Sequence, residues 1–288
     1  MKNAIEVQHL NKQFPGFALQ DISFTVPGGS IMGFVGENGA GKTTTIKTLL
    51  GLIQPDSGEM ALLGLPLAGH EKEVKSQIGV VFDEGYFHDN LTLGIIDTMM
   101  AHIFGSLWDK AEFAALCSRF GLPSKKAVKT FSRGMKMKLS IAAALAHHPK
   151  LLILDEATSG LDPIVRDEIL DVFYEFIQDE DHSILFSSHI TSDLEKIADY
   201  VTFIHEGRII FSRNKDVLID EYGIARCTAT QFEAVQSGDY LRRRTTGLGG
   251  RELLVKDRAA FHALYPDIVL DGANIEDIML FYVKGELA

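Results

Sequence analysis

The sequence is short of the features that mark secreted, metal-binding and membrane-spanning proteins. It has two cysteines in 288 residues, Cys117 and Cys227. They match no metal-ligand spacing and make no disulfide framework, which fits a reducing cytosol and ordinary packing roles. No run of about 18 apolar residues occurs, and no charged-then-apolar signal segment opens the chain. The expectation is a protein that does not span a membrane by itself. Positive charge is scarce as well: 28 Lys and Arg face 39 Asp and Glu, a formal net charge of -11. Nucleic-acid affinity comes from clustered Lys and Arg neutralising phosphates, so no nucleic-acid partner is expected. Only 8 residues are proline and 46% are hydrophobic. That leaves enough uninterrupted apolar chain for one large domain, or a large one with a small one.

What is present is ordered along the chain. Ile5 and Val7, then Leu19, Ile22, Phe24 and Val26, alternate around a Pro15-Gly16 turn and predict short strands ending at Pro27-Gly28-Gly29. Ile31 to Val35 is a continuous apolar run suited to a strand covered on both faces. Thr44 to Leu52 carries Ile46, Leu49 and Leu50 at helical spacing, and between strand and helix lies the stretch GENGAGKTT, Gly36 to Thr44. From about 85 to 150 the pattern is helical. Thr92 to Phe104 is one helix, an Asp109 and Glu112 capping box opens a second that Gly121 and Pro123 close, and a third runs from Ser132 to His147. Leu151 to Leu154 predicts a second buried strand ending in Asp155-Glu156, followed by a helix opened by Asp162 and Pro163. A third apolar strand, Ile184 to Phe186, ends at Ser187-Ser188-His189, and a hairpin turns near Glu206-Gly207. After Tyr222 short strands (Leu253 to Val255, Ile268 to Leu270) alternate with short helices (Asp257 to Tyr265, Asn274 to Val283), preceded by a glycine-rich turn at Gly247 to Gly250.

Gly36-x-x-x-x-Gly41-Lys42-Thr43 is the phosphate-binding loop pattern, in the required context of strand, loop and helix. At ordinary residue frequencies it arises by chance in roughly 1% of chains of this length. Glycines let backbone N–H groups close around phosphate oxygens, and the helix N-terminus adds a favourable partial charge. Lys42 would neutralise the β and γ phosphates and Thr43 would hold Mg²⁺, with Asn38, Gly39, Ala40, Gly41 and Thr44 in the same cradle. At the second strand's end Asp155 can reach the Mg²⁺ shell and Glu156 can polarise an attacking water. The competing reading is two acids that merely end a strand and cap the next element.

Taken in order, GENGAGKTT, FSRGM at Phe131 to Met135, LLILDEATSGLDP and the SSH ending at His189 strongly resemble the ATP-binding cassette (ABC) ATPases, over about Ile5 to Gly223. The resemblance implies an α/β fold, a P-loop NTPase with an antiparallel β subdomain and a helical subdomain at about 85–150. It assigns 1–223 to the ABC ATPase domain and leaves 224–288 as a small C-terminal α+β domain. It implies an ATPase with ATP and Mg²⁺ as cofactors. Phe14 matches the aromatic that stacks on adenine, although a strand-end phenylalanine also serves as core. Ser132 and Gly134 match the signature loop, which in this family contacts the γ phosphate of an ATP held by the other subunit of a dimer. Glu156 matches the catalytic base, Asp162 the loop that communicates between the two sites, and His189 the residue that contacts the γ phosphate.

Two motifs depart from the family pattern. Asp83, ahead of Glu84, stands where the family usually has glutamine, and its carboxylate is a candidate to face Mg²⁺ or the attacking water. FSRGM replaces LSGGQ, which puts Arg133 and Met135 in place of a glycine and a glutamine. These variants, with the ending Asn274 to Leu280, are similar to the bacterial ABC-2 type exporters related to antibiotic-resistance and YtrB-like ATPases. The similarity implies a cytoplasmic subunit peripheral on the inner face of the cell membrane, a permease on a separate chain, and a homo- or heterodimer of ATPase subunits. Tyr86, Phe87 and His88 either contact that membrane subunit or pack as an ordinary loop. A soluble ABC ATPase without transport and an ATP-binding regulatory module remain alternative readings. Elsewhere Arg242 to Arg244 reads as a solvated hairpin edge, Trp108 as packing between helices, and His147-His148 as a cationic helix end suited to the dipole.

Overall fold

The computed structural model describes residues 2–83, 87–246 and 249–287; Glu84, Tyr86 and Gly247, named above, lie outside the described residues. The chain divides into two compact units, Met1–Ser212 and Arg213–Ala288.

In the first unit β1 (Asn3–Phe14) and β2 (Phe17–Pro27) pair antiparallel around Pro15-Gly16. Alternation turns Leu19, Ile22, Phe24 and Val26 inward while Asp21, Ser23 and Thr25 face water. β3 (Ile31–Val35) is buried at every residue and runs through the glycine loop into α1 (Lys42–Leu49). β4 (Ser57–Leu62) and β5 (Leu65–Pro66) complete a four-stranded sheet in the order β2-β1-β4-β5. Next come α2 (Glu71–Lys75), β6 (Ile78–Phe82) and the helices α3 (Leu93–Phe104), α4 (Lys110–Arg119) and α5 (Arg133–Leu145). The remainder is β7 (Leu151–Asp155), α6 (Pro163–Phe176), β8 (Ser183–Ser188), α7 (Thr191–Ile197), β9 (Tyr200–His205) and β10 (Arg208–Asn214).

The second sheet has the order β10-β9-β3-β8-β7-β6, and β9, β3, β8, β7 and β6 run parallel. Parallel strands covered on both faces need apolar side chains at successive positions, which is why Ile31–Val35 of β3, Leu151–Leu154 of β7 and Ile184–Phe186 of β8 read as apolar runs. One core joins the two sheets and α1: Phe24 stacks on Phe34 with ring centroids 5.3 Å apart, and Ile46 and Leu49 pack into the same cluster. Each such side chain contributes about 1.5–3 kcal/mol by leaving water.

The helix starts follow their local chemistry. Ser132 caps α5 by accepting from the Met135 N–H, and Asp162, followed by Pro163, caps α6 by accepting from the Val165 N–H. Asp109 caps α4 by accepting from the Ala111 and Glu112 N–H groups, one half of the expected capping box. Trp108 is buried between helices and donates its indole N–H to Asp97 at 2.8 Å. Both cysteines are buried, and burial pushes the Cys117 thiol up to about 12 and the Cys227 thiol in the same direction.

His147 departs from the sequence expectation. It is buried, stacks on Phe104 with centroids 4.1 Å apart, and has Nε2 3.1 Å from the Ile78 carbonyl oxygen, to which the Nε2–H tautomer donates. Burial pushes its pKa down, so it is neutral where a cationic helix end was expected. Below about pH 6.5 an unfolded chain protonates this residue, while the folded chain resists. The contribution to stability is therefore complete above that value and is lost as pH falls toward the folded pKa. The melting temperature of the wild type should fall on acidification more than that of His147→Gln. Parallel melting curves for the two proteins from about pH 8 to pH 5 would remove His147 as the cause.

The second unit holds α8 (Lys215–Glu221), β11 (Gly223–Cys227), α9 (Ala229–Ala234), β12 (Arg242–Thr245), β13 (Arg251–Val255), α10 (Arg258–Leu264), β14 (Val269–Gly272), α11 (Ile275–Lys284) and β15 (Glu286–Leu287). Its sheet has the order β14-β11-β13-β12-β15 around Ala225, Leu253, Val255 and Phe261. Its boundary falls after Ser212, ahead of the sequence-based division after residue 223, because α8 packs on α10. Arg242, Arg243 and Arg244 are not a free edge: β12 lies between β13 and β15. Their guanidinium groups sit over Tyr282, Phe232 and Phe281 at 5.0, 5.6 and 4.6 Å. These arginines cover aromatic surface that α9 and α11 supply.

Candidate functional site

The parallel sheet brings the chemistry-bearing residues to one edge. Phe82 pairs with Asp155, Asp155 with Ser187, and Val35 with Ser188, so β6, β7, β8 and β3 end side by side. The carboxyl ends of parallel strands are where ligands bind in open α/β sheets. Asp83, Glu156, His189 and the glycine loop each follow directly from one of these ends.

The loop's glycines answer different demands. A Cβ on Gly36 would come 2.4 Å from the Ile204 carbonyl oxygen; Gly39 has φ 82° with open space beside it. Gly41 combines both, with φ 115° and a Cβ position 2.7 Å from Leu19 and 3.0 Å from Phe17. α1 starts at Gly41 with no side-chain cap and no acid in its first turn. Its leading N–H groups and the positive end of its dipole can therefore take an anion. Asn38, Gly39 and Thr43 are exposed, Thr44 is half-buried, and Ala40 is buried.

Lys42 is buried, and its Nζ donates to the carbonyl oxygens of Gly36 at 2.7 Å and Glu37 at 3.1 Å. It also lies 3.3 Å from Glu156 Oε1. The other Glu156 oxygen is 2.6 Å from His189 Nδ1, so one carboxylate links the loop lysine to the histidine. Glu156 has φ 56°, an uncommon conformation for a residue with a side chain, and its backbone N–H donates to the Ser187 carbonyl at 3.0 Å. Strain of this kind is kept only where surrounding structure enforces it. Asp155 is buried and accepts from the Ser187 hydroxyl at 2.6 Å. Ser187 is a supporting residue that sequence reasoning passed over, although its place beside Asp155 follows from adjacent parallel strands.

The remaining candidates stand further out. Phe14 is half-buried at the end of β1, with its ring centroid 6.4 Å from that of Phe17. Ser132 and Asp162 are exposed caps, and a Cβ on Gly134 would meet Val165 at 3.0 Å, so the start of α5 rests on the start of α6. Asp83 is ion-paired with Arg133. Sequence reasoning also missed His205, which faces the loop residue Glu37 at 3.6 Å from the end of β9.

Comparison with known proteins agrees with this geometry. The family model described as ABC transporter matches residues 19–159. The bacitracin transport ATP-binding protein BcrA of Bacillus licheniformis is 39% identical over 213 residues, 73% of this chain and 69% of that protein. The ABC transporter ATP-binding protein NatA of Bacillus subtilis is 36% identical over 67% of this chain and 80% of its own length. The lantibiotic transport ATP-binding protein SrtF of Streptococcus pyogenes is 34% identical over 74% and 91%. A solved ATP-binding subunit of an ABC transporter superimposes with a TM-score of 0.67 at 29% identity, covering 74% of this chain and 91% of that one. The fold is that of the P-loop ABC ATPases. The chain belongs to the ABC transporter family as an ATP-binding, ATP-hydrolysing subunit. No helix of the described residues is long and apolar enough to cross a membrane.

Proposed function

We propose that this chain powers a bacterial exporter through a permease on a separate chain, working as a peripheral subunit on the cytoplasmic face of the membrane. The contact series Lys42, Glu156, His189, at 3.3 and 2.6 Å, carries the hydrolytic part of the reading. ATP phosphates lie on the start of α1 within Asn38 to Thr44, and Lys42 turns from Glu156 to the β and γ phosphates. Phe14 stacks on the adenine. Glu156 takes the proton of the attacking water while His189 holds its second oxygen and reaches the γ phosphate. The buried Asp155 carboxylate and the exposed Thr43 hydroxyl are hard oxygen donors. That set suits Mg²⁺, which binds one or two protein oxygens and completes its shell with water and phosphate. When bound, Mg²⁺ would neutralise charge between the β and γ phosphates.

Ser132 and Gly134 serve the γ phosphate of an ATP on a second ATPase subunit, identical or homologous, and Asp162 lies in the loop that relates the two sites. The start of α5, a helix N-terminus that carries the exposed Ser132 hydroxyl, supports this half-site reading. The unit ending at Ser212 forms the ATPase domain, and Arg213–Ala288 a separate appended α+β domain.

Docking to the membrane subunit is supported by α3, where Ile95, Met99 and Ile103 form a stripe that is 47%, 44% and 70% exposed. Beside it lies an apolar cavity of about 400 Å³ lined by Leu50, Ile78, Phe82, Phe87, Met100 and Phe104. Relatives named for bacitracin and lantibiotic transport support a transport role; outward direction is our reading. The wild-type chain should be recovered from membranes with an integral membrane protein. Ile103→Glu should lower that recovery about tenfold, the equivalent of about 1.4 kcal/mol, with ATP binding unchanged. Recovery of the wild type with no integral membrane protein would count against transport.

A further inference from the structure

The two charged side chains among this chain's departures from its family's pattern, Asp83 and Arg133, are bonded to each other. Arg133 Nη2 donates to Asp83 Oδ1 in an ion pair between residues 50 positions apart. Asp83 directly follows the last residue of β6, which is in register with Asp155; Arg133 is the first residue of α5, beside the cap Ser132. The same guanidinium lies against Gly160, in the loop between β7 and α6. A Cβ there would stand 2.7 Å from Nη1 and 2.9 Å from Cζ, and Gly160 has φ 65°. Three segments around the site therefore meet at one side chain: the end of β6, the start of α5 and the loop after Glu156.

Taken singly, an acid at position 83 and a base at position 133 each put an unbalanced charge beside a phosphate site. Together they cancel. The pair is 44% and 51% exposed, and ion pairs so exposed add little to global stability. What the geometry supplies is position, because a guanidinium is a planar, permanently charged group that restricts its partner's placement.

We propose that the Asp83–Arg133 ion pair is a positioning tie that sets Ser132 and Gly134 relative to Asp155 and Glu156 of the same chain. Asp83 then acts through Arg133. The proposal rests on Ser132 and Gly134 being the half-site presented to a second subunit. It competes with one other use of Arg133, as a direct phosphate ligand for which Asp83 is only a counter-charge.

Steady-state ATP hydrolysis by the full-length chain separates these. Asp83→Asn and Arg133→Gln should each lower kcat about threefold to tenfold with KM within about twofold, and the double variant should be no worse than the weaker single, as for two ends of one contact. Arg133→Lys, which keeps the charge but loses the planar fork, should fall between wild type and Arg133→Gln, and exchange of the two residues, Asp83→Arg with Arg133→Asp, should recover at least half the wild-type kcat. Binding of a fluorescent ATP analogue to the same preparations checks that they are folded. The tie is overturned if Arg133→Gln raises KM while Asp83→Asn lowers it, or if the single losses add and the exchange rescues nothing. A Ser132 variant with undiminished turnover would instead bring down the half-site reading, and the tie with it.

Discussion

Glu156→Gln is expected to keep ATP binding and to lower turnover by on the order of 10²- to 10⁴-fold, as for loss of a general base. The substitution preserves the size and hydrogen-bonding reach of the side chain but removes its ability to accept a proton. Position is already fixed by the backbone, since the residue sits at φ 56° with its N–H bound to the Ser187 carbonyl. The variant also ends the 3.3 Å ion pair between Glu156 and Lys42. A competitor for the lysine disappears, so affinity for ATP should equal or exceed that of the wild type. Phosphate release under saturating ATP, with binding measured separately by titration, checks both halves. Normal turnover would remove Glu156 from the role of base.

Lys42→Ala has the opposite signature, with affinity lost along with rate. A hydrogen bond to a charged group contributes roughly 1.5–3 kcal/mol, and a lysine bridging two phosphates makes two. Binding should therefore weaken by on the order of 10²- to 10⁴-fold. Calorimetric titration with ATP measures this directly, and circular dichroism shows whether the fold survives. Damage should be local, because the deserted partners are the carbonyls of Gly36 and Glu37 and the carboxylate of Glu156 at the edge of a loop. Unchanged affinity in a folded variant would overturn the assignment of the lysine to the phosphates.

The parts of this molecule that can be read from sequence are those set by neighbours along the chain. β3 begins and ends where its apolar run does, and the caps Ser132 and Asp162 bond to backbone three residues ahead. The phosphate loop is legible as a motif, although only Gly39 answers a demand made within the loop itself, while Gly36 and Gly41 also make room for Ile204, Leu19 and Phe17. Distant contacts do not show. Asp83 and Arg133 look like two separate departures until the fold places them together. His147 looks like a helix-end cation until Phe104 and Ile78 bury it. In the second unit β12 looks like a solvated hairpin edge because the aromatic rings that its arginines cover lie on α9 and α11. The ion pair between Lys42 and Glu156 joins two motifs that are legible separately, while their contact is not.

The two buried thiols have a practical consequence for following this subunit at work. Cys117, with its pKa near 12, and Cys227, shifted in the same direction, present almost no thiolate at neutral pH and are shielded by packing; thiolate is the reactive form. The native fold therefore behaves toward alkylating dyes as a cysteine-free background. A single cysteine introduced on the exposed stripe of α3 becomes the one addressable label, with no need to remove the natural residues and disturb the cores they fill.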